Sequence, residues 1–136
     1  MSGSLALRNE WAPRILSIVR IAIGLLFLEH GTQKLLGFPP SASPGPAMFT
    51  LMWFAGLIEL VGGALVTLGL FTRAAAFVMS GEMAFAFFIA HFPQNFFPVN
   101  NRGDAAVLYC FIFLYFAVAG GGCWSLDAAL SGDRRR

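Results

Sequence analysis

The chain is poor in charge. Charged residues fill 12% of its 136 positions, about half the share usual in a water-soluble domain. Lysine occurs once, as Lys34. So little charge cannot clothe a soluble globule, and such an apolar composition is not that of a disordered chain. The formal net charge of +2 gives no grounds for nucleic-acid binding. Cysteine is scarce as well. Cys110 and Cys123 are separated by about 20 Å of helix, far beyond the ~7 Å that a disulfide tolerates. Neither belongs to a CxxC redox pair. The chain has no phosphate loop, nucleophile elbow or HExxH motif.

What the chain does have is apolar residues. They make up 57% of it, with fifteen Phe, and the mean hydropathy is +0.71. They gather in four stretches, about 13–37, 48–71, 73–92 and 104–121. Each is near the ~20 residues needed to cross a hydrocarbon core about 30 Å thick. This pattern predicts an all-α integral membrane protein. Its single domain, 1–136, would be an up-down-up-down bundle of four transmembrane helices in contact with the lipid bilayer. Pro13 is expected to open the first helix and Thr72 to cap the third. Gly37-Phe38-Pro39-Pro40, Phe92-Pro93 and Gly120-Gly121-Gly122 mark span ends. Arg20, Glu29, His30 and Lys34 interrupt the first stretch and no small-residue cleavage site follows, which reads as a mature helix rather than a signal peptide.

The flanking charges predict the direction. With four spans, one side would hold Arg8, Arg14, Arg73, Arg134, Arg135 and Arg136, and the other Arg102 alone. The positive-inside rule then places both termini in the cytoplasm. The loops around 38–47 and 93–103 would face outward. Trp11, Trp53 and Trp124 fall near span ends, where interfacial anchors belong.

The informative residues are the ionisable ones inside apolar runs. Arg20, Glu29, His30 and Lys34 lie in the first, Glu59 in the second, and Glu82 and His91 in the third. Each would cost at least ~2.5–3.5 kcal/mol at the bilayer centre, so such groups face the interior, pair, and mark sites. All but Arg20 fall in the outer half of the bilayer. At 100° per residue, His30, Lys34 and Arg20 share a stripe, and Glu29 lies about 180° from Arg20. Glu82 and His91 come out nearly opposite one another. Gly56, Gly62 and Gly63 flank Glu59 and allow another helix close.

Three readings fit these residues. One is a set of interhelical clamps, such as Glu59 or Glu82 with Lys34 or Arg20. Another is an outward-facing polar pocket for a quinone head group or other small ligand. In it His30, Lys34, Glu59 and His91 form the lining, His30 or Glu59 exchanges protons, and Lys34 sets the local charge. The third is a small metal-binding or transport protein, its ion held by Glu29, Glu59 and Glu82 with His30, although the Glu-x-x-His spacing of helical di-iron sites is missing.

Residues 15–127 resemble the DoxX family of small bacterial membrane proteins. The likeness begins with Arg20-Ile21-Ala22-Ile23-Gly24-Leu25-Leu26-Phe27 and His30-Gly31-x-x-Lys34-Leu35. It continues through Ala55-Gly56-Leu57-Ile58-Glu59-Leu60-Val61-Gly62-Gly63 and Leu68-Gly69-Leu70-Phe71-Thr72-Arg73. Met83, Ala84 and His91 follow, then Asn101-x-Gly103-Asp104, with Asp where the family usually has Glu. Gly120 to Gly122 and Trp124-Ser125-Leu126-Asp127 complete it. Glu29 and Glu82 fall outside these motifs. The resemblance implies a multi-pass protein of the bacterial cytoplasmic membrane and a link to quinone-dependent oxidoreduction. It further implies an accessory or assembly role beside redox-complex subunits, and the small size of the bundle separately suggests company such as a homo-oligomer.

Overall fold

The computed structural model describes residues 2–132, with the side chains of 2–6 and 8 excepted. The charges expected from Arg8 and Arg134–Arg136 therefore lie outside the described side chains. Six α-helices and no strand occur among the described residues: α1 (Ser2–Leu36), α2 (Leu51–Leu68), α3 (Thr72–Ala86), α4 (Pro98–Asn101), α5 (Asp104–Ala119) and α6 (Leu126–Ser131). A π-helical turn, Phe87–His91, extends α3. Three segments are long and apolar enough to cross a membrane, namely Asn9–Leu36, Leu51–Leu68 and Thr72–His91. The fourth expected span is shorter: α5 has 16 residues, about 24 Å at 1.5 Å each.

The distribution of polarity is that of a membrane protein. Phe77, Phe85, Phe88, Phe111 and Val118 are exposed on the outside, where lipid tails rather than water can meet them. Inside, Ser17, Arg20, Glu59, Thr72 and Asn101 are buried among Phe27, Val66, Met79, Phe113 and Phe116. An apolar shell of this extent would be an aggregation surface in water.

Packing follows the small residues. A Cβ on Gly31 would fall against the backbone of Leu60, 2.6 Å from its Cα, and one on Gly63 would fall 2.8 Å from the Leu28 backbone. These glycines let α1 and α2 lie backbone to backbone. α3 packs along α5, whereas α2 and α3 meet over a smaller area. Aromatic edges join α1 to α5, with Phe27 at 5.2 Å from Tyr109 and 4.8 Å from Phe113 between ring centroids.

Two local expectations are corrected. Pro13 does not open α1; the helix already runs from Ser2. The ring removes one hydrogen bond, to the carbonyl four residues back, and exposed Asn9 holds that carbonyl where water reaches it. Thr72 does not cap α3 either. Thr72 is the first helical residue and its buried hydroxyl has no partner. The cap is Asp127, whose carboxylate accepts from the N–H groups of Phe71 (2.8 Å) and Thr72 (2.9 Å). It closes the α2–α3 turn from 55 residues away. Asp127→Ala is expected to lower stability by about 1–2 kcal/mol, read as thermal unfolding in detergent, with Asp127→Asn recovering part of the loss.

The same end of the bundle holds Arg20, which is completely buried. Its guanidinium donates to the carbonyls of Val66 (2.6 Å) and Thr67 (2.5 Å) at the end of α2. It also donates to Gly121 (2.7 Å) and Trp124 (2.6 Å) in the segment after α5. The carbonyls at a helix C-terminus carry partial negative charge and lack helical donors, so one planar cation satisfies several at once. Arg20 is therefore not the partner of Glu59 or Glu82. Its clamp is made to backbone.

Candidate functional site

At the opposite end, near the loops 37–50 and 92–103, the helices diverge around a cavity of about 320 Å³. Its polar lining consists of His30, Lys34, Glu59, Glu82, His91 and Tyr109. The remaining wall is apolar, with Phe27, Met83 and Ala106 inside and Leu51, Met52, Phe85 and Ile89 towards the outside. Those last four are exposed, so the cavity opens sideways between α2 and α3, on the lipid-facing surface. Two other hollows of similar size are chemically quieter. One, against α2 and α3, is lined by residues such as Leu57, Val61, Val78 and Met79, without a charged group. The other, beside Gly120–Gly122, has its Arg73 and Asp127 engaged in capping helix ends.

Each polar group reaches the cavity for a local reason. His30 and Lys34 are one helical turn apart on α1 and project on the same side. Glu59 lies on the face of α2 that abuts α1. Lys34 donates to Glu59 Oε1 at 2.6 Å, and the carboxylate side chain is 5% exposed. The lysine stem is held between the loop and α2, because a Cβ on Gly45 would stand 2.7 Å from the Lys34 carbonyl and one on Gly56 3.1 Å from Lys34 Cβ. This is the one ion pair among the described residues. Lys34 also borders a second hollow, lined by Gln33, Ser41 and Ser43 of the loop side. The ammonium thus stands in the wall between a polar outer cleft and the bundle interior.

Glu82 and His91 meet the same cavity although ideal helix geometry separates them. The π-helical turn is the cause. Its i→i+5 hydrogen bonds, such as Phe92 N–H to Phe87 O at 2.8 Å, place more residues in a turn, so each advances by less than 100°. That brings His91 back towards the Glu82 side. His91 Nδ1 lies 3.0 Å from the Asn101 carbonyl. Asn101 is itself locked, donating to Asn95 O (2.7 Å) and accepting from the Gly103 N–H (2.7 Å).

The hydrogen-bond inventory is unbalanced. Glu59 Oε2 and both oxygens of Glu82 are buried without a partner. An unpaired buried polar group is costly, and an ionised one more so. Three carboxylate oxygens facing one cavity therefore call for protons, a cation or donors from a bound molecule. Sequence reasoning missed Tyr109, which an aromatic-rich helix disguises as packing. It contacts His30 edge-on at 6.3 Å and stacks on Phe113 at 5.8 Å. Glu29, in contrast, is exposed on the bundle surface and does not line the cavity. Glu29, Glu59 and Glu82 are not brought together, and no group of three or more His, Cys, Asp or Glu side chains is placed to hold a metal ion among the described residues.

The DoxX family model matches residues 15–92, more than half of the chain. The chain belongs to the DoxX family. A Haemophilus influenzae protein is 43% identical over 124 residues, covering 88% of this chain and 92% of its own length. An uncharacterized membrane protein of Mycobacterium tuberculosis is 34% identical over 144 residues, covering 92% of this chain and 86% of its own. No solved structure matches significantly. The DoxX match takes in His30, Lys34, Glu59, Glu82 and His91. It ends just after the π turn, so Tyr109 of α5 and the Asp127 cap lie beyond it.

Proposed function

We propose that this DoxX protein is an accessory subunit of a quinone-linked redox system, built to hold a small amphipathic ring compound in the cavity between α1, α2, α3 and α5. In this reading α5 also crosses the bilayer. Both termini lie in the cytoplasm, the protein resides in the bacterial cytoplasmic membrane, and the cavity sits near the outer face. Its protein partners are redox-complex subunits or a second copy.

The observation that carries the reading is a lipid-side mouth leading to a polar end with unsatisfied carboxylate oxygens. A volume of about 320 Å³ is at the lower bound of small-molecule sites, roughly 300–1,000 Å³. It suits a substituted six-membered ring whose apolar tail remains in lipid. A quinone supplies two-electron, two-proton exchange. The chain supplies orientation through His30, Tyr109 and Glu82, local charge through Lys34, and a proton-exchanging carboxyl in Glu59. The polar hollow on the far side of Lys34 gives that carboxyl a nearby route to water.

Glu59→Gln is expected to weaken binding of a decyl-substituted benzoquinone roughly tenfold, equivalent to about 1.4 kcal/mol, as measured by calorimetry in mild detergent. Its unfolding temperature without ligand should stay within a few degrees of the parent, because the amide oxygen still accepts from Lys34. The Lys34–Glu59 pair supports a second reading, a purely structural clamp. In that case the same substitution lowers the ligand-free unfolding temperature sharply, and neither protein binds the quinone.

A further inference from the structure

Neither the cavity nor the fastened helix ends use Glu29. It lies exposed on the outward face of α1, well inside the span. A Cβ on Gly31 would meet Leu60 and one on Gly63 would meet Leu28, so Glu29 stands level with the central turns of α2. It forms no ion pair among the described residues. The nearby Thr32 hydroxyl donates to the Glu29 main-chain carbonyl, at 3.0 Å, and not to the carboxyl. A carboxyl at that depth is costly against lipid and is expected to meet a partner group. Its surroundings on α1 have a definite spacing. Ser17, Arg20, Gly24, Phe27 and Gly31 are buried against the bundle. On the opposite side Trp11, Ile15, Ile18, Ala22, Leu25 and Glu29 are exposed and follow one another by alternating steps of four and three. That is the seven-residue repeat of a helix that packs along a second helix with a left-handed twist.

We infer that this face of α1 pairs with the same face of a second copy about a two-fold axis along the membrane normal, with the two Glu29 carboxyl groups facing each other in the seam. The inference makes the second copy the partner in the reading above and requires no bound ligand. A two-fold contact asks only that a patch complement itself. In parallel chains each residue meets its own counterpart at equal depth, so aliphatic side chains meet aliphatic ones and Glu29 meets Glu29. A carboxyl in its acid form both donates and accepts, so the two satisfy each other. A partner of another kind would need a donor or cation at that one depth, among apolar residues of matching spacing. Between helices in lipid, such hydrogen bonds and close packing supply the association that the hydrophobic effect does not. A lone polar residue in an apolar seam also fixes register. Ala22, one repeat before Glu29, is the small residue that lets the two backbones approach.

The test is disulfide crosslinking in native membranes, on the full chain with Cys110 and Cys123 replaced by Ala. Ala22→Cys and Leu25→Cys, on the seam, are compared with Val78→Cys and Phe111→Cys, which are exposed on α3 and α5. A disulfide needs Cα atoms within about 7 Å, so under copper-phenanthroline oxidation the seam positions should give about fivefold more dimer than the controls. Sedimentation equilibrium in mild detergent then measures self-association of the unsubstituted chain. Glu29→Gln, which keeps a donor and an acceptor, should leave the dimer dissociation constant within about threefold. Glu29→Leu should weaken the dimer about tenfold. Equal crosslinking at all four positions, or more at the controls, overturns the dimer. A seam cysteine that crosslinks mainly to a protein of different mass overturns the second copy as the partner. An unchanged dimer in Glu29→Leu removes Glu29 from the seam. The seam lies on the far side of α1 from the cavity, so each of these results leaves ligand binding to its own test.

Discussion

Replacing Arg20 by Met is expected to destabilise the protein by about 3–5 kcal/mol, the range for removing one side of a buried charged interaction. Four carbonyl oxygens lose the guanidinium together, of which Val66 O keeps the Gly69 N–H at 3.1 Å, and no water replaces it at a side chain with no exposure. The loss should spread beyond the immediate site. The segment carrying Gly121 and Trp124 also delivers Asp127 to the N-terminus of α3, and Trp124 N–H donates to Ser17 Oγ at 3.0 Å. Without Arg20, the end of α2, the start of α3 and the tail after α5 should all become accessible. The measurement is thermal unfolding in detergent together with hydrogen exchange over residues 66–72 and 120–128. Arg20→Lys should recover only a minor part, because an ammonium lacks the planar fork that serves several carbonyls. Stability within 1 kcal/mol of the parent, on the order of ordinary surface substitutions, would show that the guanidinium is not what fastens this end.

Gly31→Val is expected to have the second large effect. The added Cβ meets backbone of Leu60, which cannot rotate aside, so α1 and α2 must separate. The cost should be about 3 kcal/mol, the top of the overpacking range, and Gly63→Val should behave alike against Leu28. The functional consequence follows from position. Gly31 precedes Lys34 by one turn and Leu60 follows Glu59, so moving the helices apart stretches the 2.6 Å Lys34–Glu59 bond and deforms the cavity. Ligand affinity and unfolding temperature should fall together. Gly81→Ala is the control. Nothing lies within 4 Å of its added Cβ, and removing a mid-helix glycine is worth up to about 1 kcal/mol in favour of the helix.

Much of this arrangement can be read from the sequence, and the remainder is hidden for identifiable reasons. Hydropathy alone marks α1, α2 and α3, because lipid demands long apolar helices whatever their neighbours. The clustering of Lys34 and Glu59 is legible from expense: charges in apolar runs must find each other. The same rule misleads for Arg20, since backbone carbonyls compete with carboxylates as partners and carry no signature in side-chain sequence. Asp127 is invisible as a cap because it acts on a helix more than fifty residues earlier. Glu82 and His91 look opposed only while α3 is taken as a regular helix. The π turn at Phe87–His91 alters the phase, and no single residue announces it. Glu29 shows the limit of the expense rule from the other side, for it stays on the outer surface.

The most direct test of the cavity as a ligand site is analysis of bound organics by mass spectrometry after mild detergent extraction, with Ala86→Trp beside the unsubstituted chain. Ala86 lines the cavity, and an indole there fills much of it while leaving Arg20 and Lys34–Glu59 untouched. The account predicts about one ring-headed, apolar-tailed molecule per unsubstituted chain, and its loss from the variant while the variant remains folded by circular dichroism. Retention of the same molecule by the folded, filled variant would contradict it. So would a folded unsubstituted protein that carries no such molecule and takes up none when a decyl-substituted benzoquinone is supplied.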